Sequence, residues 1–255
     1  MDSIGGFPSS AKDSGFAALA GERDLAPHQI RDVDEHGFVL LPGLVPAEQA
    51  ERLARAYDAA VAAACADDVR VGSTTTRVTD FVNRGPEFDA IYVTPSLLAV
   101  CWRIIGRPFK LSSLQGRTLR PDSPAQPLHV DVRRGSLDWP LVGFILMIDE
   151  FRSENGATRF VPGTHRRSNF PEDVMSDSRP EHKHHVLATG PAGSMVVFHG
   201  SIWHGHSANE SGGPRRSLQG AFVPREGRAA TDFGPRMRPD TRARLGPIAR
   251  CVLEL

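Results

Sequence analysis

Between residues 110 and 223 the chain is a succession of short apolar runs, 110–119, 141–148, 157–161, 194–198 and 217–223, separated by Gly, Pro, Asn and Ser. Apolar runs this short, bounded by turn formers, are read as strands rather than helices. The stretch leading to Asp131 is read as one more. What precedes them is helical. Residues 29–36 suit a short helix closed by Gly37, followed by an apolar strand at 38–41 that ends at Pro42-Gly43. Pro46 suits a first helical position, and from there to Cys65 an Ala-rich run keeps Ala50, Leu53, Ala54, Tyr57, Val61 and Ala64 on one stripe. Such a stripe buttresses a sheet. A second helix at 95–105 is ended by Gly106-Arg107-Pro108. Helices first and many short strands afterwards predict a mainly β fold with a helical N-terminal layer, a sandwich or barrel.

The rest of the chain bounds that picture. Residues 1–24 read as a flexible N-terminal arm with one short helical piece at 16–19, and 25–255 as a single domain of ordinary size. Residues 67–84 carry turn formers and weak β character, as a loop at a pocket edge would. Beyond Pro224 lies an Arg-rich tail of irregular composition. The 30 Lys and Arg balance 30 Asp and Glu, so no overall field draws the protein to nucleic acid or to a membrane surface. A small-molecule substrate is the expected partner, for a monomer or homodimer. Cys65, Cys101 and Cys251 are odd in number and share no metal-ligand spacing, which predicts a reducing, cytoplasmic setting. No nucleotide-binding Gly loop, HExxH helix or Gly-x-Ser-x-Gly elbow is present.

One pair of residues carries possible chemistry. In Gln126-Pro127-Leu128-His129-Val130-Asp131, an imidazole and a carboxylate two residues apart on extended backbone point to one side. With 10 His and 30 acidic residues in 255, a single His-x-acid pair arises by chance. The pair gains meaning from a second cluster, His199, His204 and His206, of which the last two share a face if the strand continues. Two His and one carboxylate are the ligand set of non-haem Fe(II) oxygenases, which keep the remaining positions open for cosubstrate and dioxygen. Zinc also accepts such a set, so a non-oxidative Zn enzyme or a cupin-like metal-binding sensor module is the alternative.

Further pieces stand in a fixed order: His36-Gly37-Phe38-Val39-Leu40-Leu41-Pro42-Gly43 at the start, then Glu154-Asn155-Gly156-Ala157-Thr158 through Pro162-Gly163-Thr164-His165-Arg166, then Pro191-Ala192-Gly193-Ser194, and last His204-Gly205 with Asn209 and Arg215. In this order and spacing, over about residues 29–224, the chain resembles the phytanoyl-CoA dioxygenase family of Fe(II)- and 2-oxoglutarate-dependent oxygenases. The resemblance implies a double-stranded β-helix (jelly roll, cupin-like) in which His129, Asp131 and His204 hold Fe(II). It also implies that Arg215 binds the far carboxylate of 2-oxoglutarate, with Arg216 on the opposite face of the strand. A guanidinium suits that task, offering two parallel donors and a permanent charge. Gln126 and Thr158 match positions that contact 2-oxoglutarate in related members. His206 stands where a small residue is usual.

The implied chemistry is oxidation of a C–H bond with O2, releasing succinate and CO2, as in secondary metabolism. Hydroxylation is the default, while desaturation, epoxidation and ring formation use the same ligands. Halogenases of related fold replace the carboxylate by a small residue, so Asp131 argues against halide chemistry. For substrate contacts the sequence offers Phe81, Asn83, Arg133 and His206, with Arg77, Trp139 and the tail from Arg225 as further edge residues. His165, His199 and the charged loop of His182, His184 and His185 are read as structural or solvated.

Overall fold

The computed structural model describes residues 25–136, 139–176 and 182–255, and the predicted arm at 1–24 lies outside them. Two helices come first: α1, Pro27–Arg31, continues into a π-wound turn, Asp32–His36. Gly37 closes it at φ 86°, and a Cβ there would stand 2.3 Å from the ring of His165, so only glycine fits. Strand β1, Phe38–Leu41, leads to α2, Ala47–Ala62, in which Pro46 is the capping residue rather than the first helical one. Its predicted stripe holds in part: Ala50, Leu53 and Tyr57 are buried, joined by Ala60, which the stripe did not include. The hairpin β2, Val69–Val71, and β3, Thr75–Val78, precedes α3, Pro95–Ile105. Glycine at φ 70° ends α3 as expected.

The strands that follow are β4 (Phe109–Leu119), β5 (Val142–Met147), β6 (Thr158–Phe160), β7 (Val186–Ala188), β8 (Met195–His199), β9 (His204–His206) and β10 (Arg215–Pro224). They form a seven-stranded sheet, β1-β8-β5-β10-β4-β3-β2, and a three-stranded sheet, β7-β6-β9, with antiparallel pairings throughout. This is the double-stranded β-helix, or jelly roll. The large sheet is covered on both faces, which is why β5 reads as an unbroken apolar run. Its Val142, Phe144 and Leu146 enter the core shared with α2, α3 and the C-terminal segment, while Ile145 and Met147 enter the core between the sheets. Alternation therefore sorts each strand into a supporting face and a face turned to the interior of the roll.

Three expectations are corrected here. The stretch before Asp131 is not a strand: only isolated bridges form, Ser123 with Asn209 and His129 with His204. Three prolines, Pro121, Pro124 and Pro127, remove the donors that a continuous ladder needs. The Arg-rich tail is helical, with short helices Phe233–Arg236, Pro239–Arg244 and Pro247–Val252 seating Phe233, Leu245, Ala249 and Val252 in the main core. Arg244 there pairs with Asp89 at 2.6 Å. Finally, of the segment 67–84 only 70–75 and Arg77 border a cavity, whereas Phe81–Asn83 is a buried 3-10 turn. Among the described residues no single helix is long and apolar enough to cross a membrane.

Candidate metal centre and its pocket

His129 and His204 face each other in a narrow antiparallel bridge, each backbone N–H donating to the other's carbonyl at 3.0 Å. Gly205 makes this approach possible, since a Cβ would come within 3.0 Å of the Gln126 carbonyl and 3.1 Å of that of Pro127. Asp131 is fixed two residues on by its N–H to Gly200 O at 2.8 Å. The side chains converge. Asp131 Oδ1 lies 3.7 Å from His129 Nε2 and 3.6 Å from His204 Nε2, and one ligand atom from each residue falls within 4.8 Å of the others.

The outward ring nitrogens explain the orientation. His129 Nδ1–H donates to Pro127 O at 3.2 Å and His204 Nδ1–H to Ile202 O at 3.0 Å. Both imidazoles are thereby held in the tautomer whose Nε2 lone pair points at Asp131, the arrangement that metal-bound histidines use. Burial, and then the neighbouring His204, push the pKa of His129 down to about 4, so it stays a neutral donor. Phe198 and Phe160 pack on the His204 ring at centroid distances of 4.8 and 5.8 Å. Three donors around one point, two neutral and one anionic, suit a divalent cation.

A cavity of about 260 Å³ opens from this point and is lined in part by Gln126, Thr158, His206 and Arg215. Arg215 is fully buried, with its guanidinium carbon 3.9 Å above the ring of Phe151. Its Nε and Nη1 have no hydrogen-bond partner. Burial and the nearby Arg117 lower its pKa to about 9, which leaves it charged at neutral pH. A buried cation with two unused donors suits an incoming carboxylate. Thr158 lies opposite His206 in the small sheet. His206 donates from Nδ1 to Ser207 O at 2.9 Å and accepts from Thr74 Oγ1 at 3.3 Å, so the unexpected imidazole forms part of the wall. Arg216 indeed lies on the opposite face, bonded to Asp149 and Asp58.

Phe81, Asn83 and Arg133, the other substrate candidates, do not line this cavity. Phe81 is fully buried against Tyr57 and Phe88 on the helix side of the sheet. Asn83 is buried too, donating to Asp80 Oδ1 and Arg236 O and accepting from Arg238 N. Arg133 points outward to Glu172 at 2.9 Å and stacks on Phe170. Neither Arg133 nor Trp139 lines the cavity, whereas Arg77 does. His165 and His199 are structural, the first donating to Asp34 O, and Lys183 and His184 are exposed. Sequence reasoning missed Arg117, Gln115 and Gln219 in the wall. The signal was there in period two: 113, 115 and 117 on β4 and 215, 217, 219 and 221 on β10 share the interior face.

A jelly roll whose interior carries two histidines, one carboxylate and a buried arginine defines a class, the non-haem metal oxygenases. The family description "Phytanoyl-CoA dioxygenase (PhyH)" matches residues 33–217, and the chain belongs to this family of Fe(II)- and 2-oxoglutarate-dependent dioxygenases. It is 26% identical over 247 residues to Dioxygenase af480 of Aspergillus fumigatus, spanning 92% of this chain and 74% of that protein. Dioxygenase cdmA of Talaromyces verruculosus is 36% identical over 110 residues, 39% of this chain and only 35% of that protein's length. Among solved structures, HygX from Streptomyces hygroscopicus, with nickel and 2-oxoglutarate bound and also with hygromycin B, superposes with a TM-score of 0.67 at 18% identity. The match covers 80% of this chain and 89% of HygX with nickel and 2-oxoglutarate. SnoK, a non-heme alpha ketoglutarate dependent carbocyclase from nogalamycin biosynthesis, gives 0.66 at 19% identity, covering 86% and 93%.

Proposed function

We propose that this chain oxidises an unactivated C–H bond of a small-molecule metabolite, using Fe(II), 2-oxoglutarate and O2 and releasing succinate and CO2. The observation that carries the reading is the pairing of His129, Asp131 and His204 around one point with the unpartnered, buried Arg215 in the same cavity. In this reading the three ligands hold the iron, and Arg215 anchors the far carboxylate of 2-oxoglutarate. Bound iron supplies the oxidising chemistry by coupling decarboxylation of 2-oxoglutarate to the activation of dioxygen. The protein's own part is electrostatic and geometric. The hydrogen bonds from the two Nδ1 atoms keep both Nε2 lone pairs aimed inward. Gln126, fixed by Arg117 at 3.2 Å, and Thr158 line the same cavity as the three ligands and Arg215, where they would contact 2-oxoglutarate. Phe198, Ile145 and Leu141 keep part of the cavity apolar, which limits water near the reacting carbon.

A natural-product substrate is supported by HygX, solved with hygromycin B bound, and by SnoK, from nogalamycin biosynthesis. The test is anaerobic addition of Fe(II) and 2-oxoglutarate, followed by oxygen. The expected results are a visible charge-transfer band and then succinate. Absence of both would overturn the proposal and favour a zinc or sensor role.

A further inference from the structure

Beside the first cavity lies a second, of about 450 Å³, between the β2–β3 hairpin and residues 124–127. The two share Arg77, Arg117 and Gln126 and are therefore contiguous. Strand register sets three arginines abreast: Arg70 is opposite Arg77, and Arg77 is opposite Arg117. Like charges directly opposite on neighbouring strands destabilise a sheet. No Asp or Glu lines the second cavity.

None of the three forms an ion pair within 4.0 Å among the described residues, and the one acid that acts on the row is Asp131, at longer range on Arg117. The Arg77 side chain makes no hydrogen bond among the described residues, and that of Arg70 reaches only the carbonyls of Asp67 and Val69 through Nη1. Arg117 is largely buried, meets only the neutral amide oxygens of Gln126 and Gln219 at 3.2 and 3.4 Å, and leaves Nε unpartnered. Several other arginines are paired with acids, Arg84 with Asp68, Arg103 with Asp34 and Arg216 with Asp149, whereas Arg70 and Arg77 stand exposed at the mouth of the cavity without one. Arg215 is separate from this row, lying opposite Leu119, two residues along β4 from Arg117. The first cavity falls below the roughly 300–1,000 Å³ typical of ligand sites, yet it has to receive 2-oxoglutarate as well. A substrate must extend beyond it.

We infer that the substrate carries an anionic group, a carboxylate or a phosphate or sulfate ester, which docks in the second cavity against Arg70 and Arg77, with Arg117 at its inner end. This rests on the oxygenase reading, since it is the substrate of that site which is described. Guanidinium forks match such oxyanions in shape as well as charge.

The test uses iron- and 2-oxoglutarate-loaded protein without oxygen, with inorganic sulfate or benzoate compared with chloride at constant ionic strength. A ligand that binds only the folded state raises the unfolding midpoint in a saturable way. The expected result is a saturable rise with one of the two anions. Sulfate acting alone assigns an ester, and benzoate alone a carboxylate. Arg70→Ala and Arg77→Ala should each weaken the effective anion affinity about tenfold. No saturable rise over chloride, or a rise retained in both variants, overturns the inference. So does a loss of 2-oxoglutarate affinity, read from the charge-transfer band, equal to the loss of anion affinity, because the row then serves the cosubstrate. A missing band in the unsubstituted protein instead removes the oxygenase reading, while the anion response still reports on the arginines.

Discussion

Arg215 lies 3.9 Å above the ring of Phe151, and both side chains are only 1% exposed. The guanidinium is thus placed by an apolar platform rather than by an acid. A cation held this way is destabilising until an anion arrives. Arg215→Met should therefore raise the unfolding midpoint of the protein without ligands and abolish its stabilisation by 2-oxoglutarate. Arg215→Lys keeps the charge and loses the fork. Its apparent KM for 2-oxoglutarate should rise by about tenfold or more, the loss of one charge-assisted bond of roughly 1.5–3 kcal/mol. A lower midpoint for Arg215→Met would make Arg215 structural.

Asp131 can be removed at little cost to the fold, its side chain being 36% exposed. Asp131→Ala should retain the far-ultraviolet circular dichroism and the unfolding midpoint. Succinate formation should fall below detection, and Fe(II) affinity should drop at least tenfold. Persisting succinate removes Asp131 from the ligand set.

Phe81 is buried in a cluster with Tyr57 and Phe88, at ring distances of 5.4 and 4.9 Å. Phe81→Ala should destabilise by about 3–5 kcal/mol, as large core truncations do. Below its lowered unfolding temperature it should keep the KM values of the parent. A change in KM with no change in stability would restore Phe81 to the substrate site.

His199 links folding to pH. Its Nδ1 accepts from Ser201 N–H at 3.1 Å, so the folded state needs it neutral. Burial, then His165 and Arg134, push its pKa from 6.5 down to about 4. Between these values the unfolded chain binds the extra proton. Stability is thus complete above about pH 6.5 and is lost as pH falls toward 4, by at most roughly 1.4 kcal/mol per unit for one group. Denaturant titrations from pH 7 to 4.5 should show this fall, and His199→Gln should lessen its slope. Equal slopes would exclude His199 as the source.

Part of the site was legible because strand geometry is short-range. Period-two alternation puts Arg215 inward and Arg216 outward on β10, whereas His129 and Asp131 stand outside any strand and are legible only through the family motif. The same rule would have found Arg117 and Gln219, had the interior face been traced along β4 and β10. Phe81 and Asn83 misled because a segment of turn formers can as well be packed under a sheet as left at its edge. Only the helix that covers it, with Tyr57, decides.

Taken alone, the sequence determined the class of fold, through runs of strand length behind amphipathic helices, and the candidate ligands, through the order of motifs by which it resembles a family. Tertiary structure alone decided what those residues meet. His129 and His204 are 75 residues apart and converge because Gly205 lets two backbones close to a narrow bridge. Arg70, Arg77 and Arg117 become one row only through the register of three strands. Local spacing fixes which way a side chain points, whereas partners distant in sequence are fixed by packing and register, which no single segment encodes.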